Sequence, residues 1–397
     1  MAPRIRVLVT DDSIVLRRLI TDVLATDPEI EVVGTAVNGK NALDKLPVLK
    51  PDVMTLDIEM PVMDGLQTIL EVRKRDKRLP IIMFSTLTER GAGATLDALE
   101  RGASDYVTKP ANVGSVKESM EAVRSQLIPK IKSLTGRSVA PQRARPAFGG
   151  PPPPGSGGAS HGPGHVGFGP NGQAVAAVTG SAAAPTGRVD VVAIAVSTGG
   201  PDALTQVVSN IPAGFPVPIV VTQHMPPVFT QLFGQRLDAK ARLKVSEAAN
   251  GDVLMPGKLL IAPGDFHMRF VRRGGHVSVA LDKGPQENYC RPAADPMFRS
   301  VTEVYGGNVL ALIMTGMGSD GFRGAEHVVH AGGSLVVQDE ATSVVWGMPG
   351  AAVAAGLPCE IVPLGRLADT IAAKVSGRAS ASAAAHPVAT AGRGMSS

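Results

Sequence analysis

The chain alternates short unbroken apolar runs with stretches whose apolar residues recur at helical spacing, and it does so in two blocks. In the first block the runs lie at 5–9, 32–36, 53–56, 81–84 and 105–107, with helical patterns at 14–25, 39–49, 65–75, 91–101 and 113–127. A run without polar alternation reads as a strand buried on both faces, and such strands belong to parallel sheets covered by helices. Five βα units predict a doubly wound α/β domain.

The second block opens at 191–196, six apolar residues that run into Ser197-Thr198-Gly199-Gly200, after which Pro201 and Asp202 begin an amphipathic segment. That pattern predicts a buried strand, a tight turn and a helix. Further strands are expected at 218–222, ending in Gln223-His224, at 309–314, ending in a Gly-rich loop that reaches Asp320, and at 334–338. Helices are expected at 228–239, 295–305, from the Gly-rich loop to 331, and at 349–355. Shorter strands over 243–281 suggest a partly antiparallel region in a mainly parallel sheet.

Between the blocks, residues 141–170 hold 8 Pro and 9 Gly, a composition that sustains neither helix nor strand. The expected organisation is a first domain at 1–128, a flexible linker at 129–188, a second domain at 189–375 and a disordered tail at 376–397. About 60 linker residues reach roughly 40–50 Å r.m.s., so tethered rather than rigidly fused domains are expected.

Charge changes the picture less than the net +4 suggests. Residues 1–128 carry 17 Lys/Arg and 19 Asp/Glu, residues 129–188 carry 6 and none, and residues 189–397 carry 16 of each. The excess therefore lies in the linker, without interleaved aromatics, and predicts no nucleic-acid surface. Cys290 and Cys359 lack CxxC spacing, so neither a disulfide nor a zinc site is expected. No run approaches the roughly 18 apolar residues of a membrane span, and the amino terminus is too short of apolar residues for a signal peptide. A soluble, cytoplasmic protein without membrane insertion is expected.

Candidate chemistry gathers at strand ends. In the first block Asp11 and Asp12 follow the first strand, Asp57 the third, Ser85 the fourth, and Lys109 with Pro110 the fifth. Three carboxylates at one end of a sheet repel unless a hard cation such as Mg²⁺ sits among them. One of them can then attack a phosphoryl donor while a hydroxyl and an ammonium hold the transferred oxygens. In the second block, strands end in Ser197, in His224 and in the loop bearing Asp320. A serine hydroxyl needs a base, and the base needs a carboxylate to fix its tautomer, so these three form a candidate nucleophilic set. Asp320 also suits a helix cap, and His267 with Asp265 is the rival base pair.

These motifs resemble two known families. DDS at 11–13, TLDIEMPVMDG at 55–65, MFST at 83–86 and YVTKP at 106–110 are similar to a response-regulator receiver domain. The resemblance implies a flavodoxin-like fold of five parallel strands and Asp57 as phosphoacceptor. It also implies Mg²⁺ on Asp11, Asp12, Asp57 and the Glu59 carbonyl, phosphoryl contacts from Ser85 and Lys109, and Tyr106 as the aromatic whose orientation follows Ser85. STGGP at 197–201, QHMP at 223–226, EAANGD at 247–252, IAPGDFHM at 261–268, RPAAD at 291–295, TGMGSDG at 315–321 and WGMPGAA at 346–352 resemble the chemotaxis-type protein-glutamate methylesterases, the CheB family. By that resemblance Ser197 is the nucleophile, His224 the base and Asp320 its orienting carboxylate, with Thr198 and the Met317 N–H at the oxyanion. No cofactor is implied in this domain.

The implied function is hydrolysis of glutamate γ-methyl esters on chemoreceptors with release of methanol, together with deamidation of receptor glutamines, under control of a histidine kinase. The alternative is a receiver-controlled nucleotide-binding output module without covalent catalysis. A DNA-binding regulator is disfavoured, because no helix-turn-helix pattern follows the first block.

Overall fold

Each apolar run of the first block is a strand in the computed structural model, which describes residues 3–110, 116–136 and 187–377. β1 (Ile5–Thr10), β2 (Ile30–Ala36), β3 (Val53–Asp57), β4 (Ile81–Ser85) and β5 (Asp105–Thr108) form one parallel sheet in the order β2-β1-β3-β4-β5. Helices α1 (Ile14–Leu24), α2 (Gly39–Leu49), α3 (Gly65–Arg75), α4 (Glu89–Glu100) and α5 (Val116–Leu134) pack on its two faces. Ser13, Asn38, Asp64 and Thr88 each accept a backbone N–H at a helix start, the cap geometry worth about 1 kcal/mol apiece.

One helix departs from the expected pattern. α5 does not end at 127 but continues through Pro129 to Leu134. A proline inside a helix costs about 3 kcal/mol, and the face it continues repays that cost. Val123, Leu127 and Ile131 lie on one stripe and are fully buried, each side chain worth about 1.5–3 kcal/mol. Lys130 and Lys132 add ion pairs to Asp105 (2.7 Å) and to Asp27 (2.8 Å) and Glu29 (2.6 Å).

The second domain is built on β6 (Val191–Val196), β7 (Ile219–Gln223), β8 (Lys244–Glu247), β9 (Lys258–Ile261), β10 (His267–Arg273), β11 (His276–Asp282), β12 (Val309–Ile313), β13 (Ser334–Gln338) and β14 (Glu360–Val362). Seven of these form an all-parallel sheet in the order β14-β13-β12-β6-β7-β9-β8. The antiparallel part is the β10-β11 hairpin, which Val253 joins by an antiparallel bridge to Ser278. The helices are α6 (Gly200–Ser209), α7 (Phe229–Lys240), α8 (Ala294–Tyr305), α9 (Phe322–His330), α10 (Gly347–Ala354) and α11 (Leu367–Val375). The sequence pattern anticipated neither β14 nor α11. β6 lies between β7 and β12, so the chain leaves it toward one side first and the other later. That is the switch point at which a parallel sheet opens a crevice beyond its carboxyl ends.

The two domains are in direct contact rather than loosely tethered. The Tyr106 ring stacks on Phe229 of α7 with centroids 4.8 Å apart and planes 7° from parallel. Arg236 of α7 reaches Asp97 (2.6 Å) and the Gly93 carbonyl (2.9 Å) on α4, and Lys240 reaches Glu100 (3.0 Å). Apolar residues of both domains join in one continuous cluster through this seam. Residues 137–186 of the expected linker, with His161 and His165, and residues 378–397 of the expected tail, with His386, lie outside the described residues.

Ile131→Ala tests the extended helix. It should lower the urea-unfolding free energy of the first domain by about 2–4 kcal/mol, whereas a loss under about 0.5 kcal/mol, the scale of an exposed site, contradicts the packing described.

Candidate active site

The turn after β6 can be made by few sequences. Ser197 N donates to Thr315 O (3.0 Å) and Gly200 N donates back to Ser197 O (2.8 Å), which closes the turn. Gly199 sits at φ +75°, and a Cβ there would meet Val344 at 2.5 Å. A Cβ on Gly200 would meet Gln223 Oε1 at 2.2 Å, the same side chain whose Nε2 donates to Ser197 O at 3.0 Å. Both glycines are therefore required by conformation or close approach.

His224 follows β7, and its Nε2 lies 2.7 Å from Asp320 Oδ2. Asp320 is 1% exposed, so its charge has to be satisfied inside the protein. It accepts from Ala294 N (2.6 Å) and Asp295 N (3.1 Å) at the amino end of α8, where the helix dipole favours an anion, and from Asn288 Nδ2 (2.8 Å). Burial opposes ionisation of Asp320, but the hydrogen bond and charge of His224, with these N–H groups, hold its pKa below the usual carboxylate range. Asp295, also buried, is pushed up by burial and by the Asp320 charge. It shares Asn288 Nδ2 (2.9 Å) and accepts from Gly324 N (2.7 Å). Of this carboxyl pair, Asp320 is therefore the stronger acid and Asp295 the one more readily protonated. Burial disfavours the His224 imidazolium, yet contact with Cys290 and Asp320 raises its pKa well above the ordinary histidine value.

The Gly-rich loop after β12 closes against the serine. Thr315 Oγ1 donates to Thr198 O (2.9 Å), and a Cβ on Gly316 would stand 2.9 Å from Ser197 Cβ. Among the described residues the Met317 N–H has no protein acceptor. Thr198 Oγ1 donates to Asp105 Oδ2 of the first domain at 2.6 Å, while Lys130 Nζ holds the other oxygen of Asp105 at 2.7 Å. Ser197, Thr198 and His224 share a cavity with Asp105, Tyr106 and Lys130. Its volume is about 20 Å³, room for about one water and too little for a side-chain ester. The first domain thus covers this site.

The three sequence-predicted side chains are brought to one rim, with one link unmade. Among the described residues Ser197 Oγ makes no hydrogen bond to the imidazole; His224 Nδ1 faces Cys290 Sγ at 3.6 Å instead. The rival pair is not a pair. His267 is buried and bonded to the Pro285 carbonyl (2.9 Å) and to Ala293 N (3.3 Å), while Asp265 is held by Arg291 (2.6 Å) and Lys283 (3.2 Å). Sequence reasoning missed Asp105, Asn288, Cys290 and Asp295. Asp295 closes the RPAAD motif and Cys290 immediately precedes it, which was the available signal.

In the first domain, Asp11, Asp12 and Asp57 bring one carboxylate oxygen each within 4.8 Å of the others. Lys109 Nζ lies 2.7 Å from Asp57 and 3.8 Å from Asp11. Burial, then the Asp57 charge, push the Asp11 carboxyl up to about 6, and burial raises Asp57 as well despite Lys109. Asp11 Oδ2 is buried without a hydrogen-bond partner. An orphaned, hard oxygen among three acids suits a hard divalent cation. The Glu59 side chain is exposed and pairs with Arg90 (3.3 Å). Ser85 is turned to α4, where its Oγ donates to the Gly91 carbonyl (3.2 Å) and accepts from Thr95.

Fold and side chains together define a class: a phosphoacceptor-type α/β domain docked over the crevice of a larger parallel α/β domain. The response regulator receiver domain model matches residues 7–121 and the CheB methylesterase model residues 192–371. A protein-glutamate methylesterase/protein-glutamine glutaminase of a Nocardioides species is 49% identical over 370 residues, covering 93% of this chain and 95% of that protein. The protein of the same name from Trichodesmium erythraeum is 44% identical over 373 residues, covering 94% and 99%. The Thermotoga maritima CheB methylesterase catalytic domain, a solved crystal structure, is 40% identical and matches with a TM-score of 0.45 over 46% of this chain and 97% of that one. The chain belongs to the CheB methylesterase family, with a response-regulator receiver domain at its amino-terminal end. These relatives give no support to the nucleotide-binding alternative.

The raised Asp11 pKa fixes a sign. A carboxyl whose folded pKa exceeds its unfolded value contributes stability below about pH 4 that is lost as the pH rises to about 6. In metal-free buffer Asp11→Asn should match the parent near pH 4 and exceed it by on the order of 2–3 kcal/mol at pH 8. Saturating Mg²⁺ should stabilise the parent alone. A stability difference independent of pH contradicts this account.

Proposed function

We propose that this chain is a phosphorylation-regulated protein-glutamate methylesterase that hydrolyses glutamate γ-methyl esters on chemoreceptors by way of Ser197, His224 and Asp320. The reading assigns residues 1–128, lengthened by the rest of α5 to Leu134, to the receiver and 189–375 to the esterase domain, with 135–188 as tether and 376–397 as tail. The observation that carries it is the 2.7 Å His224–Asp320 pair at the cavity that also holds Ser197.

In the proposed reaction Ser197 Oγ attacks the γ-carbonyl carbon and its proton passes to Nδ1 of His224, while Nε2 stays on Asp320. The tetrahedral oxyanion meets the free Met317 N–H and the Thr198 hydroxyl, each such donor worth about 10²–10³ in rate. His224 returns the proton to the leaving oxygen and methanol departs, leaving an acyl-enzyme. A water then gives its proton to His224 and attacks the acyl carbon, freeing the glutamate and restoring Ser197. A glutamine in the same pose would lose ammonia instead, so deamidation requires no further side chain.

Regulation follows from what the receiver covers. Asp105 occupies the Thr198 hydroxyl, and so the oxyanion donor is unavailable while the domains are docked. We assign Asp57 as the phosphoacceptor for a histidine kinase, with Asp11, Asp12, Asp57 and the Glu59 carbonyl as ligands of Mg²⁺. The ion would neutralise charge on the phosphoryl oxygens. Lys109 already touches Asp57; drawing Ser85 to the same phosphoryl group removes its bonds to α4. That helix carries the groups that hold Arg236 and Lys240, and Tyr106 follows Ser85 away from Phe229. Among the described residues no helix is long and apolar enough to cross a membrane, and the reading places the enzyme in the cytoplasm, acting on the receptors' signalling helices.

Ser197→Ala should reduce kcat for methanol release from methylated receptor by on the order of 10⁴–10⁶; near-normal release removes Ser197 from the mechanism. Acetyl phosphate should accelerate the parent enzyme and leave Asp57→Asn unchanged, and equal responses exclude Asp57 as the switch. Arg236→Ala breaks half-exposed ion pairs, each worth about 0.2–1 kcal/mol, and should raise the rate without phosphoryl donor about three- to tenfold. An unaltered basal rate contradicts occlusion through this seam.

A further inference from the structure

The imidazole of His224 has two nitrogens, and both are engaged in this structure. Nε2 is on Asp320 at 2.7 Å and Nδ1 faces Cys290 Sγ at 3.6 Å, within the longer range of contacts to sulfur. Ser197 Oγ, across the same cavity, has no bond to the ring among the described residues. Only Nδ1 is left to take a proton from Ser197, so Cys290 and Ser197 compete for one nitrogen.

The thiol is held in place by its surroundings. Glu287 N donates to Cys290 O (3.2 Å) and Cys290 N donates to Glu287 O (2.9 Å), which makes a tight reciprocal turn. Glu287 is pinned to α8 by Arg299 at 2.6 Å. The two residues inside the turn, Asn288 (φ 51°) and Tyr289 (φ 62°), adopt left-handed backbone that is unfavourable for a tyrosine. Tyr289 is 78% exposed, so core packing does not repay that conformation. Asn288 does gain from it, since its amide bridges Asp295 and Asp320. One short loop therefore braces the carboxylate on one side of the imidazole and presents the thiol on the other.

We propose that Cys290 is a positioning residue for the base: it holds Nδ1 of His224 in reserve, and catalysis begins when Ser197 replaces the thiol at that nitrogen. The inference rests on the reading of Ser197 and His224 given under Proposed function. The charged and titratable groups around the ring are Asp320 and Asp295 behind it, Cys290 on the 287–290 turn, and Asp105 with Lys130 from the receiver, which line the same cavity. Of these, Cys290 and Asp320 favour the imidazolium against burial. An imidazolium cannot accept the Ser197 proton, so the thiol contact sets how far the acidic limb of the rate profile extends toward high pH.

The test is the pH dependence of kcat/KM for methanol release by the full chain with acetyl phosphate, for the parent, Cys290→Ala and Cys290→Ser, with Ser197→Ala as reference. Both Cys290 variants should move the acidic limb down by about one pH unit, a tenfold gain on the limb. A purely structural role would change the rate without moving the limb. In parallel, ¹⁵N titration of His224 in the parent should show protonation persisting above the ordinary histidine range and falling back toward it in Cys290→Ala; this readout needs no turnover. Superposable pH profiles with identical His224 titrations overturn the inference. Activity retained by Ser197→Ala would instead overturn the esterase reading itself, so the two failures are distinguishable.

Discussion

A carboxylate buried beside an imidazole is the constraint from which the second domain is organised. Removing one partner of such a pair costs about 3–5 kcal/mol, because the other is left charged and unpaired. The sequence meets this with the amino end of α8, its two backbone N–H groups and the Asn288 amide, all directed at Asp320. With the anion fixed, the His224 ring has one orientation. With the ring fixed, the proposed nucleophile has to come to it, and the Gly199-Gly200 turn at the end of β6 brings Ser197 to the same rim.

The receiver applies a similar charge logic from outside. Its Asp105 is neutralised by Lys130 and donates no proton to the site; it only accepts the Thr198 hydroxyl. The group that would serve the oxyanion is thereby engaged by a carboxylate of the same chain, and the remaining cavity holds about one water. Elsewhere in that domain the carboxyls of Asp11 and Asp57 are held together against burial and repulsion, with one buried Asp11 oxygen lacking a hydrogen bond. Adding a phosphoryl group and a cation there, as proposed, would change the charges that Lys109 and Ser85 face, and α4 links Ser85 to the seam with α7.

Much of this was legible in the sequence because it follows from periodicity. Unbroken apolar runs gave every strand of the receiver and the central strands of the second sheet, and polar residues at their carboxyl ends marked Ser197, His224 and Asp57. Asp320 was reachable because its loop follows a buried strand. What periodicity does not encode was missed. Cys290 and Asn288 lie on a loop with no repeating pattern, and their positions depend on left-handed backbone at Asn288 and at Tyr289, a residue type that does not announce it. The Asp105–Thr198 bond joins positions 93 residues apart in two domains, and the length of the linker argued against close docking. α5 was expected to end at 127, whereas the apolar stripe of Val123 and Leu127 continues to Ile131 across Pro129.

The central claim is that Ser197 is a base-activated nucleophile beneath the receiver. Its most direct test is reaction of the full chain with a small fluorophosphonate, with the adduct located by mass spectrometry. The account predicts a single adduct on Ser197, forming faster with acetyl phosphate present and lost in His224→Ala. A chain that stays unlabelled, or that labels elsewhere at a rate indifferent to phosphorylation, would contradict it.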